Sequence, residues 1–108
     1  MKDLGSIMKQ AQAMQQRMAE AQERIGALEV EGTSGGGMVS VTLRGSGELA
    51  KVVLDDSLMA PGEGEVVSDL VVAAHADAKR KLDAAQADIM REAAGALAGM
   101  NIPGMPKF

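Results

Sequence analysis

The hydrophobic residues near the start of the chain recur with the period of an α-helix. Apolar positions follow one another at alternating spacings of three and four residues: Leu4, Ile7, Ala11, Met14, Met18, Ala21, Ile25 and Leu28. This heptad pattern, typical of a coiled coil, predicts a helix over residues 3–26 that ends at Gly26. Because the apolar seam is narrow, we expect this helix to pack along a single partner and to be exposed elsewhere.

The period of the hydrophobic pattern then changes to two, which is typical of β-strands. Alternating residues predict strands over about 28–32, 38–44 and 48–54. The glycine-rich stretch 32–37 is interpreted as a flexible break, and Gly45-Ser46-Gly47 as a tight hairpin turn. These segments predict a three-stranded antiparallel meander.

A second long helix is predicted over about 64–97, where one face stays apolar throughout. Its first half, from Val66 to Ala74, is apolar on nearly all sides and is expected to be the buried part. From Asp77 onward the helix is charged and alanine-rich and is expected to be more exposed. The fold class is therefore α+β with the order α-β-β-β-α, in a single domain over 1–98. Glycine and proline exclude a helix in 99–108, which is interpreted as a flexible tail.

The apolar residues are unusually small, and this predicts a homodimer. Of 108 residues 46% are hydrophobic, but Phe108 is the single aromatic residue and nine residues are methionine. A core without large rings buries less apolar surface, and a three-stranded sheet leaves two edges to cover. We expect a second copy of the chain to supply the missing surface through the sheet, with these candidate interface residues: Val39, Val41, Leu43, Leu49 and Val53.

No residue set in the sequence predicts catalysis, a metal site or a cofactor. Cysteine is absent, and His75 is the one histidine, with no second imidazole to complete a metal or acid–base set. Gly35-Gly36-Gly37 is not followed by the lysine and helix of a phosphate-binding loop. The chain is therefore not expected to be an enzyme. No stretch resembles a signal peptide or a membrane span, so we expect a cytoplasmic protein.

Charge is distributed unevenly along the chain, whose net charge is −4. Acidic residues are concentrated in 27–69, while the two ends are slightly basic. In the heptad frame all four cations of the first helix occupy two adjacent outer positions: Lys2, Lys9, Arg17 and Arg24. Such a stripe can follow a phosphate backbone, but by itself it is more typical of the solvated face of a coiled-coil helix. The scarcity of aromatic rings excludes base stacking as a binding mode and so disfavours single strands and RNA.

The chain resembles the YbaB/EbfC family of bacterial nucleoid-associated proteins along almost its whole length. The resemblance is carried by the order and spacing of several short pieces: Leu4-Gly5-Ser6-Ile7-Met8-Lys9-Gln10-Ala11-Gln12, Leu28-Glu29-Val30-Glu31-Gly32, Gly45-Ser46-Gly47-Glu48, Asp69-Leu70-Val71-Val72-Ala73-Ala74 and the ending Pro106-Lys107-Phe108. It implies a tweezer-like homodimer, joined through the sheets, whose projecting helices hold duplex DNA. The family's contacts map onto these residues: Lys2, Lys9, Gln12, Gln16, Arg17, Arg24, Lys79, Arg80 and Arg91.

The expected function is therefore that of a nucleoid-associated protein, which binds duplex DNA through phosphate contacts, organises the nucleoid and modulates transcription. A different class of function also fits the heptad seam and the acidic middle of the chain. In that alternative the protein is a non-enzymatic adaptor or scaffold for a DNA repair or replication protein. The two hypotheses differ in whether the protein binds a DNA duplex at low salt.

Overall fold

The computed structural model describes residues 4–98, which form two long helices and one small sheet. The elements in chain order are α1 (Leu4–Gly26), β1 (Glu29–Ser34), β2 (Val39–Arg44), β3 (Leu49–Leu54) and α2 (Gly64–Ala98). Short 3₁₀ turns occupy Gly35–Gly37 and Asp56–Leu58. The predicted α+β class and the order α-β-β-β-α are confirmed. The segment 99–108, interpreted from its sequence as a flexible tail, lies outside the described residues.

The sheet is an antiparallel meander with β2 at its centre. Facing partners such as Val30 with Leu43 and Gly32 with Val41 point to the same side of the sheet, because directly opposed residues in an antiparallel pair share a face. On β2 this side carries alternate apolar residues that are completely buried, Val39, Val41 and Leu43. They pack with residues of α2 into one hydrophobic cluster.

This burial corrects the predicted dimer interface. Val39, Val41 and Leu43 are covered by α2 of their own chain, so they have no exposed area to give to a second copy. The alternating pattern identified the buried face of β2 but not what covers it. Leu49 and Val53, on β3, are by contrast 51% and 46% exposed.

Helix α2 lies directly against β1, and Gly32 makes this close approach feasible. Any side chain at Gly32 would overlap the backbone of α2 at Ala74 and Ala78. Just beyond it, the Ser34 hydroxyl donates to the carbonyl oxygen of Leu70 at 2.5 Å. These contacts explain why β1 continues to Ser34, into the segment 32–37 that was interpreted from its glycine content as a flexible break. The glycine serves packing rather than flexibility here.

The burial of α2 also differs from the expectation that its first half is the buried part. Val72 is 67% exposed, whereas the fully or almost fully buried residues lie in the middle of the helix: Ala74, Ala78, Leu82 and Ile89. The reason is that the sheet covers only one side of α2, and α1 then covers the same side farther along. Within residues 4–98, neither helix is long and apolar enough to cross a membrane.

Helix α1 runs antiparallel to the second half of α2 and is fixed at its base near Gly45. The Gly45 amide donates to the Leu28 carbonyl oxygen at 2.8 Å, and the Gln86 side chain donates to the Gly45 carbonyl oxygen at 3.0 Å. Ala21 is buried, but Leu4 and Ile7 are 69% and 63% exposed. Only the C-terminal half of α1 is therefore covered, and the protomer is elongated, measuring 76 × 24 × 15 Å.

Replacing Gly32 by alanine should destabilise the protein, because the added methyl group overlaps helix backbone that cannot move away independently. We expect the free energy of unfolding to fall by about 2 kcal/mol or more. Gly95→Ala is the matched control, because its methyl group meets open space in α2 and should stabilise the helix by up to about 1 kcal/mol. Urea unfolding followed by circular dichroism measures both. If Gly32→Ala were as stable as the parent protein, the close packing of β1 on α2 would be contradicted.

Candidate nucleic-acid interface

The basic side of α1 is exposed to solvent. Lys9, Arg17 and Arg24 are all exposed, and so are the nearby Gln12 and Gln16. Lys2 lies outside the described residues. Within residues 4–98, Lys9 has no carboxylate within ion-pair distance, so its ammonium group is available to a polyanion.

Both arginines of α1 are paired with glutamates around a shallow cleft between α1 and α2. Arg24 Nη2 lies 2.9 Å from Glu92 Oε2, across the two helices, and Arg17 Nη1 lies 3.6 Å from Glu20 Oε2 within α1. The apolar residues that line this cleft are Ala21, Ile89 and Ala93. The structure thus brings Arg17 and Arg24 together with an acid on α2 that sequence reasoning missed. Arg24 and Glu92 are far apart in the chain, so no local pattern could have revealed the pair.

Every candidate cation on α2 is also neutralised by a nearby aspartate. Lys79 pairs with Asp83 and Arg91 with Asp88, each at 2.7 Å, and Arg80 pairs with Asp77 at the same distance. Arg80 and Arg91 are separated by about three helical turns and share one side of α2, whereas Lys79 is rotated by roughly 100° from Arg80. The structure therefore does not assemble the three into a single basic patch.

Asp77 connects this part of α2 to the edge of the sheet. Its carboxylate accepts a hydrogen bond from the Thr33 amide of β1 at 3.0 Å and pairs with Lys81 at 3.1 Å. Lys81 in turn donates to the carbonyl oxygen of Glu31 at 3.0 Å. The Thr33 amide, followed by Lys81 and then the Arg80 charge, lowers the pKa of Asp77. Lys81 and Asp77 therefore satisfy backbone groups on the outer edge of β1.

Asp69, at the end of the acidic middle segment, lies far from the cleft. Asp69 and Glu92 are both on α2, and at 1.5 Å per residue they are about 35 Å apart along its axis. Repulsion between Asp69 and an anion bound near this cleft is therefore strongly screened at physiological salt.

Asp55 and Asp56 are adjacent carboxylates that could suggest a cation site, but Asp55 stabilises a turn. The Asp55 carboxylate accepts hydrogen bonds from the Ser57 hydroxyl and amide, which hold the 3₁₀ turn and lower the pKa of Asp55. Among residues 4–98, no three histidine, aspartate or glutamate side chains converge as a metal site would require.

Comparison with known proteins decides the family. The model of the YbaB/EbfC DNA-binding family matches residues 1–97. The chain belongs to this family. It is 75% identical to a nucleoid-associated protein of Phenylobacterium zucineum over 108 residues, which are 100% of this chain and 99% of that protein. It is 64% identical to a nucleoid-associated protein of Caulobacter vibrioides over 107 residues, covering 97% and 98% of the two chains.

A solved structure shares the fold. An uncharacterized protein from Helicobacter pylori superimposes with a TM-score of 0.67 at 24% sequence identity, over 85% of this chain and 97% of that chain. The family resemblance identified from the sequence is thus confirmed. The family is described by DNA binding rather than by a reaction, which is consistent with the absence of a candidate catalytic set in the sequence.

Replacing Asp77 by asparagine should lower the melting temperature in a pH-dependent way. A carboxylate with a lowered pKa in the folded state stabilises the fold above its unfolded pKa of about 3.9, and this contribution is lost as the pH falls through the lowered value. The difference between parent and variant should therefore be largest above about pH 4 and shrink in stronger acid.

Asp88→Asn is the control for this experiment. Within the described residues Asp88 pairs only with Arg91 on the same helix, and both side chains are well exposed, so its loss should change the melting temperature little. Thermal melts of the parent and the two variants between about pH 2 and 7 make the comparison. This range brackets the unfolded aspartate pKa of about 3.9. A constant Asp77→Asn effect throughout this range would contradict an ionised Asp77 that accepts the hydrogen bond from β1.

Proposed function

We propose that the protein is nucleoid-associated and binds duplex DNA as a homodimer through phosphate contacts from α1. The proposal is supported by membership of a DNA-binding family and by relatives that are named nucleoid-associated proteins. The observation that carries it is the exposed basic side of α1, with Lys9, Arg17 and Arg24 at its outer positions. Organisation of the nucleoid and modulation of transcription follow from such binding.

Phosphate contacts fit the residues of α1 better than base readout does. Lysine and arginine neutralise phosphates without regard to sequence, and exposed glutamines such as Gln12 and Gln16 can donate to phosphate oxygens. The arginines already hold carboxylates, so binding releases less free energy than an unpaired stripe of cations would give. We expect a modest affinity that depends steeply on salt. The basic residues of α2 are a secondary surface, since aspartates neutralise Lys79, Arg80 and Arg91.

The two edges of the sheet are different, and this favours pairing of two copies through β3. The outer edge of β1 is occupied by Asp77 and Lys81, which bond to its backbone. Among residues 4–98 the contacts of α2 with the sheet are concentrated on β1 and β2, so β3 is partly covered at Leu54 alone, and Leu49 and Val53 are exposed. An uncovered edge strand with exposed apolar residues is prone to pair with another chain. A second copy that pairs there would present α1 twice.

The adaptor hypothesis has one supporting observation of its own. The apolar seam of α1 continues beyond the part covered by α2, and Leu4 and Ile7 are exposed there. An amphipathic helix of a DNA repair or replication protein could pack along such a seam. Duplex titration at low salt separates the hypotheses, because an adaptor without DNA affinity would give no binding curve.

Replacing Val53 by lysine should weaken the dimer, because a charge at an apolar interface loses its hydration. We expect the sedimentation-equilibrium mass at micromolar concentration to fall toward that of one chain. Val72→Lys is the matched control, since Val72 is exposed on α2 away from β3 and its replacement should leave the mass unchanged. A parent protein that sediments as a stable monomer would refute the dimer altogether.

Replacing Lys9 and Arg17 together by alanine should weaken binding to all duplexes alike and flatten its salt dependence. If about four to six phosphates are contacted per dimer, the slope of log K against log salt is roughly −4 to −5 for the parent. The variant removes four cations per dimer, two per chain, so its slope should be clearly shallower.

The matched control removes one lysine and one arginine elsewhere. Arg44→Ala with Lys51→Ala changes the net charge equally, at two exposed positions of the sheet. Fluorescence anisotropy with a labelled duplex measures both variants, and sedimentation checks that each keeps the mass of the parent. Equal effects of the two double variants would show that net charge, not α1, determines binding.

A further inference from the structure

Among residues 4–98, a single ion pair joins α1 to α2, and it involves one of the arginines proposed to bind DNA. Arg24 Nη2 and Glu92 Oε2 are 2.9 Å apart, and both side chains are more than half exposed. They border the cleft whose base includes the buried residues Ala21 and Ile89. The backbone positions of both charged residues are therefore set by packing, while their side chains can move into solvent.

We propose that Glu92 competes with DNA phosphate for Arg24, so that binding exchanges a carboxylate for a phosphate on the same guanidinium group. The inference rests on the proposed function, because it concerns how the α1 surface is regulated. A guanidinium group donates to carboxylate and phosphate oxygens with the same planar geometry. When a phosphate takes the place of Glu92 on Arg24, the Glu92 carboxylate loses its partner and lies beside an anion. The repulsion between the two negative charges further opposes binding.

Glu92 differs from the other acids of the arm, the part of the molecule in which α1 packs against the second half of α2. It is the acid that pairs with an arginine of the opposite helix. Glu20 lies one turn from its partner on the same helix, and their separation of 3.6 Å is the longest of the ion pairs among residues 4–98. Glu23, next to Arg24 in sequence, is exposed and has no ion-pair partner within these residues. Glu92 comes instead from the opposite helix and holds the Arg24 side chain against α2. It therefore limits the affinity.

The test compares two identical substitutions with the same change in net charge. Glu92→Gln frees Arg24, whereas Glu23→Gln removes an unpaired carboxylate on α1. Because exposed ion pairs are weak, we expect Glu92→Gln to raise the affinity for a labelled duplex by about two- to tenfold. Because Arg24 contacts phosphate in the parent and in Glu92→Gln, the slope of log K against log salt should change by less than about 1. Glu23→Gln should have a clearly smaller effect on the affinity.

Repeating both substitutions in an Arg24→Gln background identifies the cause. There Glu92→Gln should do no more than Glu23→Gln, because the guanidinium group for which Glu92 and phosphate compete is gone. Melting temperatures check that each variant folds like its parent, as expected for an exposed pair. A Glu92→Gln effect that equals that of Glu23→Gln, or that persists without Arg24, overturns the exchange.

The failure of this inference is distinguishable from the failure of the proposed function. If the Lys9 and Arg17 double variant loses affinity while Glu92→Gln behaves like Glu23→Gln, α1 binds DNA without the exchange. If the parent protein shows no duplex binding at low salt, the proposed function and the exchange are both refuted.

Discussion

The packing of α2 on the sheet is the contact on which the rest of the structure depends. Three strands of six residues each cannot bury one face by themselves, and α2 covers the completely buried side chains of β2. The approach is close because Gly32 presents no side chain to the helix backbone. The same helix then extends past the sheet and provides the surface on which α1 packs. Helix α2 thus packs on the sheet through residues such as Ala74 and Ala78, and on α1 through later residues such as Ile89.

The position of α2 also makes the edges of the sheet unequal. Asp77 and Lys81 bond to the backbone of β1, so this edge has fewer free groups to offer another strand. In the described part of the chain the edge at β3 has no such cover, and Leu49 and Val53 are exposed there. Unequal edges favour a closed pair of chains over continued growth of the sheet, because pairing through β3 leaves only protected edges outside. This physical argument supports a dimer rather than a filament.

The charges of the arm are arranged as pairs rather than as a basic patch. A protein whose net charge is −4 cannot rely on long-range attraction to a polyanion, so local exposure of its cations determines where an anion can approach. On α1 that exposure combines Lys9, which has no ion-pair partner among residues 4–98, with arginines held by glutamates. Such a surface suits reversible, sequence-independent contact with phosphates.

The sequence by itself determined the class of the protein and the order of its elements. The change of hydrophobic period from helix to strand and back is a local property, so it predicted both helices and all three strands, and the order of short motifs identified the family. Tertiary structure decided what covers the apolar face of β2. Val39, Val41 and Leu43 were assigned from their alternation to a dimer interface, yet α2 of the same chain covers them. It also decided that β1 continues past Gly32 and that Glu92 holds Arg24. These outcomes depend on contacts between residues that are distant in the chain, and such contacts leave no trace in a local pattern of hydrophobicity or charge.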